Sequence, residues 1–139
     1  RGMLFYMKYE QSFRFSKEEI VAGETRIENL FKHGKSFIAY PLRVVYLETL
    51  SSVDVPASVL ISIPKKRIKS AVNRNRMKRL IRETYRLNKH QLVSVLSNNN
   101  IHLDIAFIYL KEELSDYALI ETGMHKALNE LSNKFVTGR

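Results

Sequence analysis

Two kinds of apolar spacing alternate along this chain, and each predicts a different element. Ser16-Lys17-Glu18-Glu19 has the spacing of a capping box, in which the serine hydroxyl accepts from the third helical amide and the glutamate reaches back. A helix is expected to start there and to be interrupted at Gly23. From about residue 24 to 32, Ile27, Leu30 and Phe31 recur at three- and four-residue spacing, and Gly34 stands where a left-handed C-terminal cap is expected. Residues 36–50 hold Phe37, Ile38, Tyr40, Val44, Val45, Tyr46 and Leu47, which favour one long strand with Pro41 near an edge or bend. A turn at 51–56 leads to a strand at 59–63, ended by Pro64, and a helix then runs from about Ser70 into the nineties. Ser97-Asn98-Asn99-Asn100 closes that helix as a polar loop. Residues 102–110, with Leu103, Ile105, Ala106, Phe107, Ile108 and Tyr109, read as a strand covered on both sides. A last amphipathic helix over about 115–134 turns Leu119, Ile120, Met124, Leu128 and Leu131 inward.

The order helix, strands, helix, strand, helix predicts an α+β fold, an α/β sandwich with a mixed sheet and a C-terminal helix. The stretch from Val59 through the long helix to Leu103 has the length of a crossover between parallel strands. With 139 residues the chain fits one domain over 1–139, with 1–15 expected to be partly flexible. No run approaches the roughly 18 to 20 apolar residues of a membrane span, and no signal-peptide pattern opens the chain, so a cytoplasmic protein without membrane contact is expected. The absence of cysteine excludes disulfides, thiolate metal sites and thiol nucleophiles together.

Charge changes this picture most. The net charge is +9, and between Lys65 and Lys89 there are eleven basic side chains and one acid, Glu83, so that this stretch carries all of the excess. A solubilising surface intersperses both signs, whereas a one-sided concentration points to a polyanion. At about 100° per residue, Arg74, Lys78, Arg82, Arg86 and Arg79 fall on one stripe with Asn75 among them, and Met77, Leu80, Ile81 and Thr84 fall nearly opposite. Glu83 lies outside both arcs, within reach of Arg79 or Arg86. Guanidinium groups give phosphate planar bidentate donors, and carboxamides both donate and accept toward phosphate, sugar or base edges. A merely solvated face and a membrane-surface helix are the bland alternatives. The missing acids argue against the first, and the narrow apolar side, without Trp or Phe, against the second.

The run Ala71-Val72-Asn73-Arg74-Asn75-Arg76-Met77-Lys78-Arg79-Leu80-Ile81-Arg82-Glu83 resembles the signature of the bacterial ribonuclease P protein subunit, with its Arg-Asn-Arg core on a long basic helix. Ser62-Ile63-Pro64-Lys65-Lys66 is similar to the strand and lysines that precede that signature, and Leu30-Phe31-Lys32-His33-Gly34 to the end of the family's first helix. With the strand at 104–109 and the closing helix, the likeness spans nearly the whole chain in order. It implies a left-handed βαβ crossover, against the general right-handed rule. It also implies an RNA-binding subunit without catalytic residues of its own, part of a ribonucleoprotein endoribonuclease whose RNA removes the 5′ leader of precursor tRNA. The Mg²⁺ involved would be held mainly by the RNA and substrate. The implied partners are the catalytic RNA, touched by Lys65, Lys66, Arg67, Arg74, Asn75, Arg76, Lys78, Arg79, Arg82 and Arg86, and the precursor tRNA leader. The leader would lie in a cleft at Ile27, Phe31 and Tyr46. No obligate protein partner is implied. The chain departs from the family in reading Arg67-Ile68-Lys69-Ser70 after the lysine pair, one residue longer and without glycine, so a different turn into the helix is expected. Ile27 stands where an aromatic is frequent.

Other chemistry is not supported by spacing. His33, His90, His102 and His125 are isolated, and no Gly-rich phosphate loop, nucleophile elbow or close acid pair occurs. A basic-helix DNA- or ribosomal-RNA-binding module remains the alternative function.

Overall fold

A computed structural model describes residues 17–50 and 55–136. The expected flexible segment 1–15, Ser16 of the capping box and most of the turn at 51–56 lie outside these residues. Within them, a 3-10 turn at Lys17–Glu19 precedes helix α1 (Glu24–His33), strands β1 (Lys35–Ala39), β2 (Leu42–Thr49) and β3 (Ala57–Ser62), helices α2 (Ala71–Asn88) and α3 (His90–Asn98), strand β4 (His102–Tyr109) and helix α4 (Tyr117–Phe135). The sheet order is β1-β2-β4-β3. β1 and β2 are antiparallel, β2 and β4 are antiparallel, and β3 and β4 are parallel, joined across α2 and α3. This is the expected mixed α+β sandwich with a C-terminal helix.

Several local expectations change. The single long strand over 36–50 is instead the β1–β2 hairpin, turned at Tyr40-Pro41, whose peptide bond is cis. Proline supplies no backbone donor for a ladder, and here its carbonyl accepts from Leu110 N at 2.9 Å. The helix expected from Ser16 is one 3-10 turn, after which Ile20 bridges Val59 and Val21 N donates to Val59 O along the outer edge of β3. The long basic helix ends at Asn88, whose side-chain amide donates to Thr84 O and competes for the helix carbonyls, and α3 restarts from Lys89.

Glycines at two positions are explained by close approach. Gly34 is extended (φ −75°, ψ 157°), not the left-handed cap its place suggests. A Cβ there would lie 2.9 Å from Tyr46 O and closer still to Leu30 O, so the residue lets α1 turn into β1 against β2. Gly123, within α4, would place a Cβ 2.9 Å from Tyr40 O and from Pro41 Cδ, so the helix lies directly on the hairpin turn.

The main core lies between the sheet and the layer α2, α3 and α4. Leu42, Val44, Phe107, Ile105, Met77, Ile81, Tyr85 and Leu131 are among its buried residues, and the Tyr85 and Phe107 rings meet at 5.8 Å. Among the described residues the helix on the opposite face is α1, where Leu30 packs on Val45 and Ala106 with Leu47, Leu60 and Ile108 partly buried around them. Among the described residues no helix is long and apolar enough to cross a membrane.

Candidate nucleic-acid interface

The basic surface begins where β3 ends. Ile63 and Ile68 both enter the core, and the Pro64 carbonyl accepts from the amides of Arg67 (2.9 Å) and Ile68 (3.2 Å). The chain between them is thereby looped outward, exposing Lys65 and Lys66 and leaving Arg67 half-buried, 3.9 Å from Glu112. No glycine is needed in this turn. Ile68 plugs it into the core, and Arg74 Nη1 donates to the carbonyls of Ile68 (3.0 Å) and Lys69 (2.8 Å). Ser70 then caps α2, its hydroxyl accepting from Asn73 N at 3.2 Å.

Along α2 the wheel holds on the inner side for Met77, Ile81 and Thr84, which are buried, while Leu80 is half-buried and Tyr85, which falls on the edge of the cationic arc beside Arg74, is buried as well. On the outer side the cations divide by what else they do. Asn75, Arg76, Arg79 and Arg82 are exposed and Lys78 is half-buried. Arg74 is half-buried and braces the preceding turn, so it builds the surface as well as belonging to it. Arg86 pairs bidentately with Glu83, at 2.7 and 3.3 Å, and the hydrogen bond holds the Glu83 carboxyl below its ordinary value while raising Arg86. The acid within the basic helix is therefore turned toward its C-terminal end, away from Arg76 and Arg79. Lys89 leaves the surface altogether. It is 1% exposed, with Nζ 2.6 Å from Glu19 Oε2, and ties the end of α2 to the segment preceding α1.

The residues expected to form a second, cleft-like site are not all brought together. Ile27 and Phe31 lie one turn apart on α1, the first half-buried and the second 44% exposed. Tyr46 is a correction. It is buried on the other face of the sheet, its ring centroid 6.0 Å from Phe37 and 6.3 Å from Phe135, with Lys134 Nζ 5.9 Å away. Side chains alternate along a strand, and since Val45 meets Leu30 beneath α1, Tyr46 must point to the core. On the α1 face the same alternation displays Ile38, Arg43, Leu60 and Ile108, of which Ile38 and Arg43 are exposed.

Sequence reasoning missed what holds α1 there. Arg26 donates to Asp104 through Nε (3.0 Å) and Nη2 (2.7 Å), Asp104 Oδ1 lies 3.1 Å from His102 Nε2, and His102 Nδ1 donates to Val55 O at 2.7 Å. Burial pushes the Asp104 carboxyl up, but the hydrogen bonds from His102 and Arg26 outweigh it, and the group stays below its ordinary range. The available signal was an aspartate inside the apolar run 102–110, which demands a cationic partner once that strand is central. Among the described residues no three His, Cys, Asp or Glu side chains converge as a metal site.

Among known proteins, the sequence model of the Ribonuclease P family matches residues 15–132. A ribonuclease P protein component from Porphyromonas gingivalis is 44% identical over 117 residues, covering 84% of this chain and 85% of the relative. One from Chlorobium phaeobacteroides is 41% identical over 102 residues, covering 68% and 70%. The RNase P protein of Staphylococcus aureus superposes with a TM-score of 0.65 over 86% of this chain and 98% of its own, at 20% identity. That of Thermotoga maritima gives 0.60 over 75% and 89%, at 24% identity. These structural likenesses speak to the fold.

Proposed function

Because the chain belongs to the ribonuclease P protein family, as the RNA-binding subunit of that endoribonuclease complex, we propose a division of labour between its two exposed regions. Lys65, Lys66 and Arg67 on the turn, with Asn75, Arg76, Lys78, Arg79 and Arg82 on α2, dock the catalytic RNA by neutralising phosphates along its folded backbone. Arg74 contributes mainly by holding the turn, and Arg86 reaches RNA only alongside its Glu83 partner. The 5′ leader of precursor tRNA lies against α1, where Phe31 offers an exposed ring for base stacking and Ile27 an apolar neighbour; Tyr46 takes no part.

The observation that carries this reading is the exposed cationic stretch formed by the turn and the first turns of α2, in which no residue from Lys65 to Arg82 is an acid. A-form RNA hides its base edges in a deep narrow groove, so a helix of arginines and carboxamides recognises it through phosphate and 2′-hydroxyl positions. Such groups bind and neutralise; they are neither nucleophile nor general base. Hydrolysis is accordingly assigned to the RNA. The same residues do not fit a Mg²⁺ site, because that ion takes several oxygen ligands and among these ammonium and guanidinium groups only the Asn75 carboxamide offers a side-chain oxygen, so its ligands are assigned to RNA and substrate. The family match over most of the chain disfavours a free-standing DNA- or ribosomal-RNA-binding module.

Reconstitution tests the assignment. The purified protein alone should leave precursor tRNA intact, and adding the cognate catalytic RNA with Mg²⁺ at low salt should restore leader removal. Cleavage by the protein alone, or no gain from the protein in the presence of that RNA, would refute it.

A further inference from the structure

Beyond the ends of the parallel strands β3 and β4 the chain leaves the sheet twice, through the basic turn and through residues 111–115, and an open groove of about 610 Å³ lies between the two exits. Its volume is within the range of about 300–1,000 Å³ common to small-ligand sites. The walls differ in sign. Lys66, Lys69 and the Asn73 carboxamide form one, Glu112 and Glu113 the other, and Leu114 adds apolar lining.

Both walls are braced from behind. Arg74 ties down the carbonyls of Ile68 and Lys69, and the Tyr109 hydroxyl donates to Glu113 O and lies 2.6 Å from Ser115 Oγ. The carboxylates themselves are loosely engaged: Glu112 is 3.9 Å from Arg67 and Glu113 3.9 Å from Lys111, with side chains 73% and 80% exposed.

Two carboxylates beside a phosphate path repel it, so a groove serving phosphate alone is better without them. They fit a ligand that brings donors as well as phosphate. Among the RNA bases only guanine presents two adjacent donors, N1–H and the N2 amino group, matching the two oxygens of one carboxylate. The amino groups of adenine and cytosine stand beside an acceptor nitrogen, and the uracil N3–H stands between two carbonyls. That edge of guanine is free only in an unpaired nucleotide.

We propose that this groove binds a single unpaired guanosine of the catalytic RNA. The base edge meets the Glu112 and Glu113 carboxylates, the flanking phosphate meets Lys66 and Lys69, and the ring lies against Leu114. The inference rests on the RNA-docking role proposed for α2, because the groove is continuous with that surface through Lys66, Lys69 and Asn73.

The variant E112Q/E113Q separates the explanations by sign. Both side chains are mostly exposed, so the fold and its thermal midpoint should be unchanged. If the carboxylates are only neighbours of the phosphate path, removing two negative charges tightens binding to the catalytic RNA; if they receive guanine, binding measured without substrate weakens by about tenfold. On the protein alone, guanosine 5′-monophosphate should shift the amide resonances of Lys69, Asn73 and Leu114 at concentrations where the adenosine, cytidine and uridine monophosphates do not, and the variant should lose that preference. Unchanged or tighter RNA binding, an equal response to all four nucleotides, or a response to none overturns the proposal. So does a loss seen only with precursor tRNA present, which would assign the guanosine to the substrate. The nucleotide measurement needs no assembled enzyme, so its failure and a failed reconstitution are told apart.

Discussion

The sheet face that carries α2, α3 and α4 and the face that carries α1 are held by different means. Toward the three helices the strands present Leu42, Val44, Ile105 and Phe107 to a continuous apolar core. Toward α1 they meet one ten-residue helix, one fully buried leucine, and the hydrogen-bonded group Arg26, Asp104 and His102. Apolar burial is non-directional and scales with area, so the large face supplies stability. An ion pair with two hydrogen bonds is directional, and it fixes where α1 sits without covering the whole sheet. The arrangement leaves Ile38, Arg43 and the exposed ring of Phe31 available to a partner while the fold is secured from the other side.

The largest effect that would test this asymmetry is Phe107→Ala. A fully buried aromatic against Tyr85 should cost about 3–5 kcal/mol in urea unfolding, and a loss below about 1 kcal/mol would erase the distinction between the faces. Asp104→Asn should cost less, about 2 kcal/mol near neutral pH, the scale of hydrogen bonds to a charged group. Its pH dependence has a definite sign. The folded carboxyl titrates below its ordinary 3.8, so its contribution is complete above that value and is lost as pH falls through the lowered one. Unfolding curves of the two proteins should therefore converge in acid, and a gap constant down to the lowest pH at which both fold would contradict the ion pair.

Phe31→Ala should leave the thermal midpoint nearly unchanged and weaken binding of the assembled enzyme to precursor tRNA by about 1–2 kcal/mol, as for loss of one stacked base, with mature tRNA unaffected. Equal weakening for both RNAs would remove the leader from α1. The smallest expected change is for Arg79→Ala. Log affinity for the catalytic RNA should fall less steeply with log salt, by about 0.7–0.9 for a single phosphate no longer neutralised, with stability intact. The same change at Arg74 should also lower stability, because its guanidinium holds the turn.

Elements with a strong local rhythm were legible before the structure. The inner side of α2 and the final helix follow from periodicity, because side-chain direction repeats every 3.6 residues in a helix, and the central strand at 102–109 follows from its short apolar run, which suits a strand covered on both faces. The hairpin was not, since Phe37 through Leu47 is a run of good strand formers on both sides of Pro41, and β propensity does not say where a strand reverses. Tyr46 shows the same limit at the site. Resemblance placed it by its neighbours in sequence, and a shift of one residue in a strand exchanges the two faces of the sheet.

The basic stretch from Lys65 is where sequence and tertiary structure divide most clearly. Sequence by itself determined its charge, its helical phase and its family, because these depend on residue identity and local spacing. Only the tertiary structure decided which cations remain on the surface. Lys89 is drawn inward by Glu19, seventy residues away along the chain, and Arg67 is set 3.9 Å from Glu112. It also set Glu112 and Glu113 across a groove from Lys66 and Lys69, and Arg26 against Asp104. Such pairings depend on which segments the sheet brings side by side, and a charge carries no local mark of the distant partner that will meet it.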